Sequence, residues 1–220
     1  MKLLLLNGNT DPAITALLAR RAAEALPRLG LDGVALVPAT ARFGAPYIAT
    51  RRAAAVAAHA VLEALDEHIG PTNAASFDAA IIACFGDPGL DAARETCPVP
   101  VTGMADASLR IAFRRARRIA LLTGGAVWVP MLEEFALLRG HTRETVRVHA
   151  ITPTGDMIAR DPDNAIAALA DTARHAIAEG AEIIVLGGAG LAGLAPRLAA
   201  HVAVPVLDSL DCALLVAAGR

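Results

Sequence analysis

The chain has 220 residues, 55% of them hydrophobic and 19% charged, with a formal net charge of −2. That is ample for a buried core, in one large domain or two small ones. Aromatic residues make up 3% and basic runs stop at pairs such as Arg114-Arg115 and Arg117-Arg118, so nucleic acid is not an expected partner.

Lys2 to Leu6 reads as a buried strand. Its apolar run is too short for a signal-peptide core and leads into Asn7-Gly8-Asn9 rather than a cleavage site. No apolar stretch reaches membrane-spanning length, so no membrane association is expected. Asn7 to Pro12 is a dense turn and a helix start. The helix runs to about Leu29 and stops at Gly30. A second strand lies near Val34–Val37. The loop Arg42–Tyr47 holds the chain's one tyrosine and precedes Arg51-Arg52, which could steer a carboxylate or simply form a solvated helix face. An alanine-rich helix follows to about Ile69, and Pro71 to Phe77 is a polar lead-in.

Ala79 to Cys84 is an apolar run that gives way at once to turn residues, as a buried parallel strand does. Asp87 suits a helix N-cap and Pro88 the first helical position, with the helix reaching about Glu95. Cys84 would then lie at a strand's carboxyl end beside a helix N-terminus, the edge where open α/β sheets bind ligands and where a thiol's pKa is lowered. The competing reading is an inert buried cysteine. Val99–Gly103 is a short strand, with a helix from about Asp106. Ile119–Thr123 is a strand ending in Gly124-Gly125, followed by a helix over Val129–Leu138. Val146–Ile151 is a strand and Pro162–Glu179 a helix. Glu182–Leu186 is a strand ending in Gly187-Gly188-Ala189-Gly190. A helix reaches about Ala200, Val204–Leu207 is a strand, and Leu210–Ala217 is the last helix. Strands alternating with helices predict a parallel α/β architecture.

The chain repeats itself once. Leu3–Gly8 matches Ile119–Gly124, Asp78–Cys84 matches Glu182–Gly188, and Pro100–Asp106 matches Pro205–Asp211. This predicts two pseudo-symmetric lobes, each a short parallel sheet flanked by helices, with a cleft between them. Gly188 is the counterpart of Cys84. Cys97 and Cys212 read as structural. Three cysteines without a CxxC pattern suit a reducing, cytoplasmic setting. The six histidines lack ligand spacing, so no metal site is expected. Gly124-Gly125 and Gly187-Gly188 could present N–H groups to an oxyanion, or be tight turns. Asp208 could face the cleft or cap the final helix.

Four stretches together resemble the Asp/Glu racemase superfamily, and within it the hydantoin and allantoin racemases. They are Asn7–Thr10, Ala83–Glu95, Val185–Gly190 and Val204–Asp208. The resemblance implies that the last strand and helix return to the first lobe, so that residues 1–98 plus 205–220 form one lobe and 99–204 the other. It implies a cofactor-independent racemase working on a small carboxylate, amino acid or cyclic ureide with an acidic α-carbon, and a homo-oligomer. Cys84 would be the base or proton donor. Asn9, Thr10, Tyr47, Gly86, Thr123, Gly124, Gly187 and Ala189 would hold substrate oxygens. Two positions depart from the family: Gly8 stands where proline is usual, and Gly188 where the second catalytic cysteine belongs. Arylmalonate decarboxylases of the same superfamily pair one cysteine with a glycine. A single-cysteine decarboxylase or isomerase is therefore the alternative, with a non-catalytic small-acid binder as a third reading.

Overall fold

A computed structural model describes residues 1–70 and 76–220. The polar lead-in expected over Pro71–Phe77 falls mostly outside the described residues. The elements in chain order are β1 (Lys2–Asn7), α1 (Pro12–Arg28), β2 (Ala35–Thr40), α2 (Arg51–Ile69), β3 (Ala79–Ile82), α3 (Leu90–Thr96), β4 (Val101–Gly103), α4 (Met104–Phe113), β5 (Ile119–Gly124), α5 (Trp128–Leu138), β6 (Val146–Ile151), α6 (Gly155–Arg160), α7 (Pro162–Ala178), β7 (Ile183–Gly187), α8 (Ala195–Ala199), β8 (Val206–Asp208) and α9 (Ser209–Ala217). The chain divides into two compact units, residues 1–107 with 210–220, and residues 108–209. Among the described residues no helix is long and apolar enough to cross a membrane.

The first unit holds a parallel sheet in the order β2-β1-β3-β4. Leu3, Leu4, Leu5 and Leu6 are buried on both faces because β1 is an inner strand covered by helices. Each such leucine removed from water contributes about 1.5–3 kcal/mol. β2 runs through Pro38 and is longer than its apolar run suggests. It is an edge strand, where a residue without an N–H is tolerated. Asp11 caps α1 by accepting from Ala13 N–H, with Pro12 in the first turn, and Thr50 caps α2 by accepting from Ala53 N–H.

The second unit repeats the plan, with a parallel sheet in the order β6-β5-β7-β8. Its core gathers Leu122, Leu169, Ala173, Leu186 and Leu198, at 0–1% exposure. α7 starts at Pro162, as its sequence predicts, behind an Asp161 cap. The short helix α6 is not foreseen by the sequence pattern.

The strand registers carry the internal repeat independently of sequence matching. Leu3 pairs with Ala79 as Ile119 pairs with Ile183. Counting along β3 and β7 from these pairs brings Cys84 and Gly188 to the same position. Ile82 pairs with Gly103 as Leu186 pairs with Asp208, so Gly103 and Asp208 also correspond. Two boundaries differ from the expected lobes. β4 hydrogen-bonds to β3, so residues 99–107 stay with the first unit instead of opening the second. β8 pairs with β7, so of the last strand and helix only α9 returns to the first unit.

Candidate functional site

All four strands of each sheet are parallel, so their carboxyl ends share one edge. In the first unit that edge gathers the loops after β1, β2, β3 and β4. The loop after β1 is an amide knot. Asn7 Nδ2 donates to Asn9 Oδ1 at 2.8 Å, to Asp11 C=O at 3.1 Å and to Thr15 Oγ1 at 3.0 Å. Asn9 Oδ1 also accepts from Asp11 N–H at 2.9 Å, and Thr10 N–H donates to Ala45 C=O at 3.2 Å in the loop after β2. The oxygen of Asn9 is thus committed to the turn, and Thr10 ties two loops together. Tyr47 is half-buried in the second of them. Arg51 and Arg52 lie exposed at the start of α2, on the same edge.

Cys84 lies two residues beyond β3 and is 8% exposed. Gly8 is its neighbour: a Cβ built there would lie 3.7 Å from Cys84 Cβ and 3.2 Å from Val61 Cγ2. The turn after it does not run as the sequence suggests. Asp87 and Pro88 are not the cap and first residue of α3, which begins at Leu90, behind Gly89. Gly86 and Asp87 both take positive φ, +107° and +48°. Cys84 is therefore separated from the helix start, and the expected lowering of its pKa is replaced by the opposite shift. Burial, with the charge of Asp87 second, pushes the thiol up to about 12. Cys84 rests as a thiol, not a thiolate.

In the second unit the same edge carries Thr123, buried at the end of β5, Gly124, and the turn Gly187-Gly188-Ala189. Gly188 adopts φ +130° and ψ +145°, and Leu191 N–H donates to its carbonyl at 3.0 Å. An added Cβ would meet Leu191 Cδ1 at 3.4 Å, so space is not the obstacle. The backbone is, because that conformation is essentially restricted to glycine. Asp208 directly precedes α9, and its Oδ2 accepts from Gly193 N–H at 2.6 Å.

The predicted site residues thus fall into two groups: Asn9, Thr10, Tyr47, Cys84 and Gly86 on the edge of the first sheet, and Thr123, Gly124, Gly187, Gly188 and Ala189 on the edge of the second. Cys97 lies half-buried just past α3, and Cys212 is buried in α9; all three cysteines are free thiols. Sequence reasoning assigned Asp87 to a helix cap and missed its charge acting on Cys84. An Asp-Pro pair after a strand reads as a helix start, and the glycine that makes room for its carboxylate, Gly103, is fifteen or more residues away in the chain.

Comparison with known proteins bears on the family and the fold. The sequence model of the Asp/Glu/Hydantoin racemase family matches residues 3–217. A hydantoin racemase of Rhizobium meliloti is 39% identical over 146 residues, 66% of this chain and 61% of that protein, under two thirds of its length. A hydantoin racemase of Paenarthrobacter aurescens is 30% identical over 220 residues, 99% of this chain and 89% of that one. The crystal structure of an allantoin racemase from Pseudomonas fluorescens superposes with a TM-score of 0.89 at 29% identity, covering 100% of this chain and 90% of that one.

Proposed function

Because the chain belongs to the Asp/Glu/Hydantoin racemase family, we propose that it catalyses proton transfer at the acidic α-carbon of a small cyclic ureide or amino acid, with Cys84 as the acid/base and without a cofactor. The observation that carries this reading is the register: Cys84 lies two residues past β3 on the carboxyl edge, and the residue that corresponds to it, Gly188, has no side chain. A racemase needs a proton removed on one face of the α-carbon and another delivered on the opposite face. Here one of the two groups is absent. Turnover is therefore one-sided in its protein chemistry, with a water or a substrate group at the second face. Asn9 keeps its Nδ2 for a substrate oxygen, since its Oδ1 is engaged. Thr10, Tyr47 and Gly86, on the same edge of the first sheet, supply further contacts.

The test is α-deuterium exchange on hydantoins and on aspartate and glutamate, for the wild type and Cys84→Ser. Exchange that needs Cys84 and proceeds faster than inversion is the expected result. Exchange untouched by Cys84→Ser would sink the reading. One observation favours a second reading, a single-cysteine decarboxylase. A buried thiol held protonated is what quenches the carbanion left when a carboxylate departs as carbon dioxide. The electron pair of the broken C–C bond stays on the α-carbon and takes the S–H proton, and solvent reprotonates the thiolate. Carbon dioxide release from an arylmalonate-type diacid, with no exchange on hydantoins, would favour it.

A further inference from the structure

One side chain ties the Cys84 turn to a different element. Asp87, 4% exposed, is the only non-glycine residue with positive φ among the described residues. Its N–H closes the turn by donating to Cys84 C=O at 3.0 Å. Its carboxylate leaves the turn altogether. Oδ1 accepts from Ala105 N–H at 2.9 Å and Oδ2 from Asp106 N–H at 2.7 Å, both in the first turn of α4. Those N–H groups have no partner within their own helix, and the positive end of the helix dipole favours an anion there. Gly103 makes the room: a Cβ at that residue would overlap the Asp87 carboxylate. Asp87 is thus a helix cap, but of α4 rather than of α3.

We propose that Asp87 is a positioning residue for Cys84: its carboxylate bolts the thiol-bearing turn to the start of α4 and acts on the thiol through space as a fixed anion. This inference rests on the reading of Cys84 as the reacting group. Holding Asp87 at φ +48° is unfavourable for a non-glycine residue, and two hydrogen bonds to a charged acceptor offset that. The arrangement persists because Gly103, Ala105 and Asp106 all fit it. The other charges around the turn are engaged elsewhere or face water. Asp106 pairs with Arg94 at 2.7 Å, His59 with Glu63 at 3.4 Å on the exposed side of α2, Asp11 caps α1, and Asp91 is exposed on α3. Among them, Asp87 is the charge that raises the Cys84 thiol beyond what burial does.

The experiment is a pH titration of thiolate ultraviolet absorbance on the folded protein, with the same titration of the Cys84→Ser protein subtracted. Asp87→Asn keeps an acceptor and a residue type that tolerates positive φ, but removes the charge. The Cys84 midpoint should fall, with roughly three- to tenfold more thiolate at a fixed pH on the rising limb. Asp87→Glu, which keeps the charge, should stay closer to the wild type. A folded Asp87→Asn protein with an unmoved midpoint overturns the proposal. If that protein does not fold, the same titration on Gly103→Ala, which displaces the carboxylate while keeping its charge, decides the matter: an unmoved midpoint again overturns it. Turnover retained by Cys84→Ser would instead refute the proposed role of Cys84, and leaves the titration to judge Asp87 alone.

Discussion

Gly103 and Asp208 occupy the same register position in the two sheets, and the link between third-strand turn and fourth strand runs in opposite directions at the two. In the first unit the turn supplies the carboxylate: Asp87 reaches over Gly103 to the N–H groups of α4. In the second the strand supplies it: Asp208 reaches to Gly193 N–H, beyond the Gly188 turn. One duplicated plan has been fastened twice, by acids from opposite partners. The first fastening puts a buried anion beside the Cys84 thiol.

This arrangement makes Gly103 intolerant of a side chain. Gly103→Ala drives a methyl into the Asp87 carboxylate, which is held by two backbone donors and cannot swing aside freely. A loss of about 1–3 kcal/mol in unfolding free energy is expected, as for other overpacked sites. Urea denaturation with an unchanged slope would measure it; a loss under ~0.5 kcal/mol would show that the carboxylate relocates at little cost.

The reactivity order of the cysteines follows from burial and charge. Cys84 is buried and pushed up to about 12, whereas Cys97 is half-buried and raised less by its surroundings, with a hydrogen bond at Val99 working in the other direction. The thiolate is the nucleophile toward alkylating agents. Iodoacetamide at neutral pH should therefore label Cys97 first, with Cys84 following only as the pH rises. This reverses the order that the sequence suggests. Peptide mass mapping checks it; rapid labelling of Cys84 at neutral pH would mean that its thiol is ionised by a group not facing it here.

Much of this was legible in the chain and some was not, for identifiable reasons. Buried parallel strands such as β1, β3 and β7 announce themselves as short apolar runs ended by turn residues. The duplication shows because those runs recur in order. The sequence places the start of α3 too early because Asp87-Pro88 has the chemistry of a cap, and chemistry does not say which helix is capped. α6 was invisible because Thr154–Asp161 mixes polar and apolar residues without a helical period. The lobe boundaries shifted because strand pairing, a long-range fact, assigns β4 and β8 to their sheets.

Histidine burial gives the second unit an acid limb. Burial holds the pKa of His149 below the usual imidazole range, despite a Glu179 carboxylate oxygen 3.6 Å away. Its Nε2 is buried without a hydrogen-bond partner. The folded state therefore binds this proton less readily than the unfolded chain. The stability linked to His149 is fully present above about pH 6.5 and is lost as the pH falls below it toward the lowered folded value. His149→Gln should flatten the fall in melting temperature between about pH 7 and 5 relative to wild type. Identical slopes for the two proteins would show that His149 is hydrated in solution.

The sequence suggests that Gly188→Cys would install the missing second thiol and with it racemisation. The backbone argues otherwise. At φ +130° and ψ +145° a side chain of any size is strained, although only Leu191 Cδ1 stands near the new Cβ. The penalty is about 1–3 kcal/mol, and it applies to alanine as much as to cysteine. Gly188→Ala and Gly188→Cys should therefore lose similar stability, which thermal unfolding can compare directly. General acid–base groups typically supply roughly 100- to 10,000-fold in rate, but only at hydrogen-bond reach of the reacting proton. A cysteine that has shifted its own turn to relieve strain will miss that geometry. The expected gain in hydantoin racemisation from Gly188→Cys is thus below about 100-fold. A gain in the full range, with stability equal to wild type, would show that the turn at Gly188 readily adopts an ordinary conformation and that the thiol alone was missing.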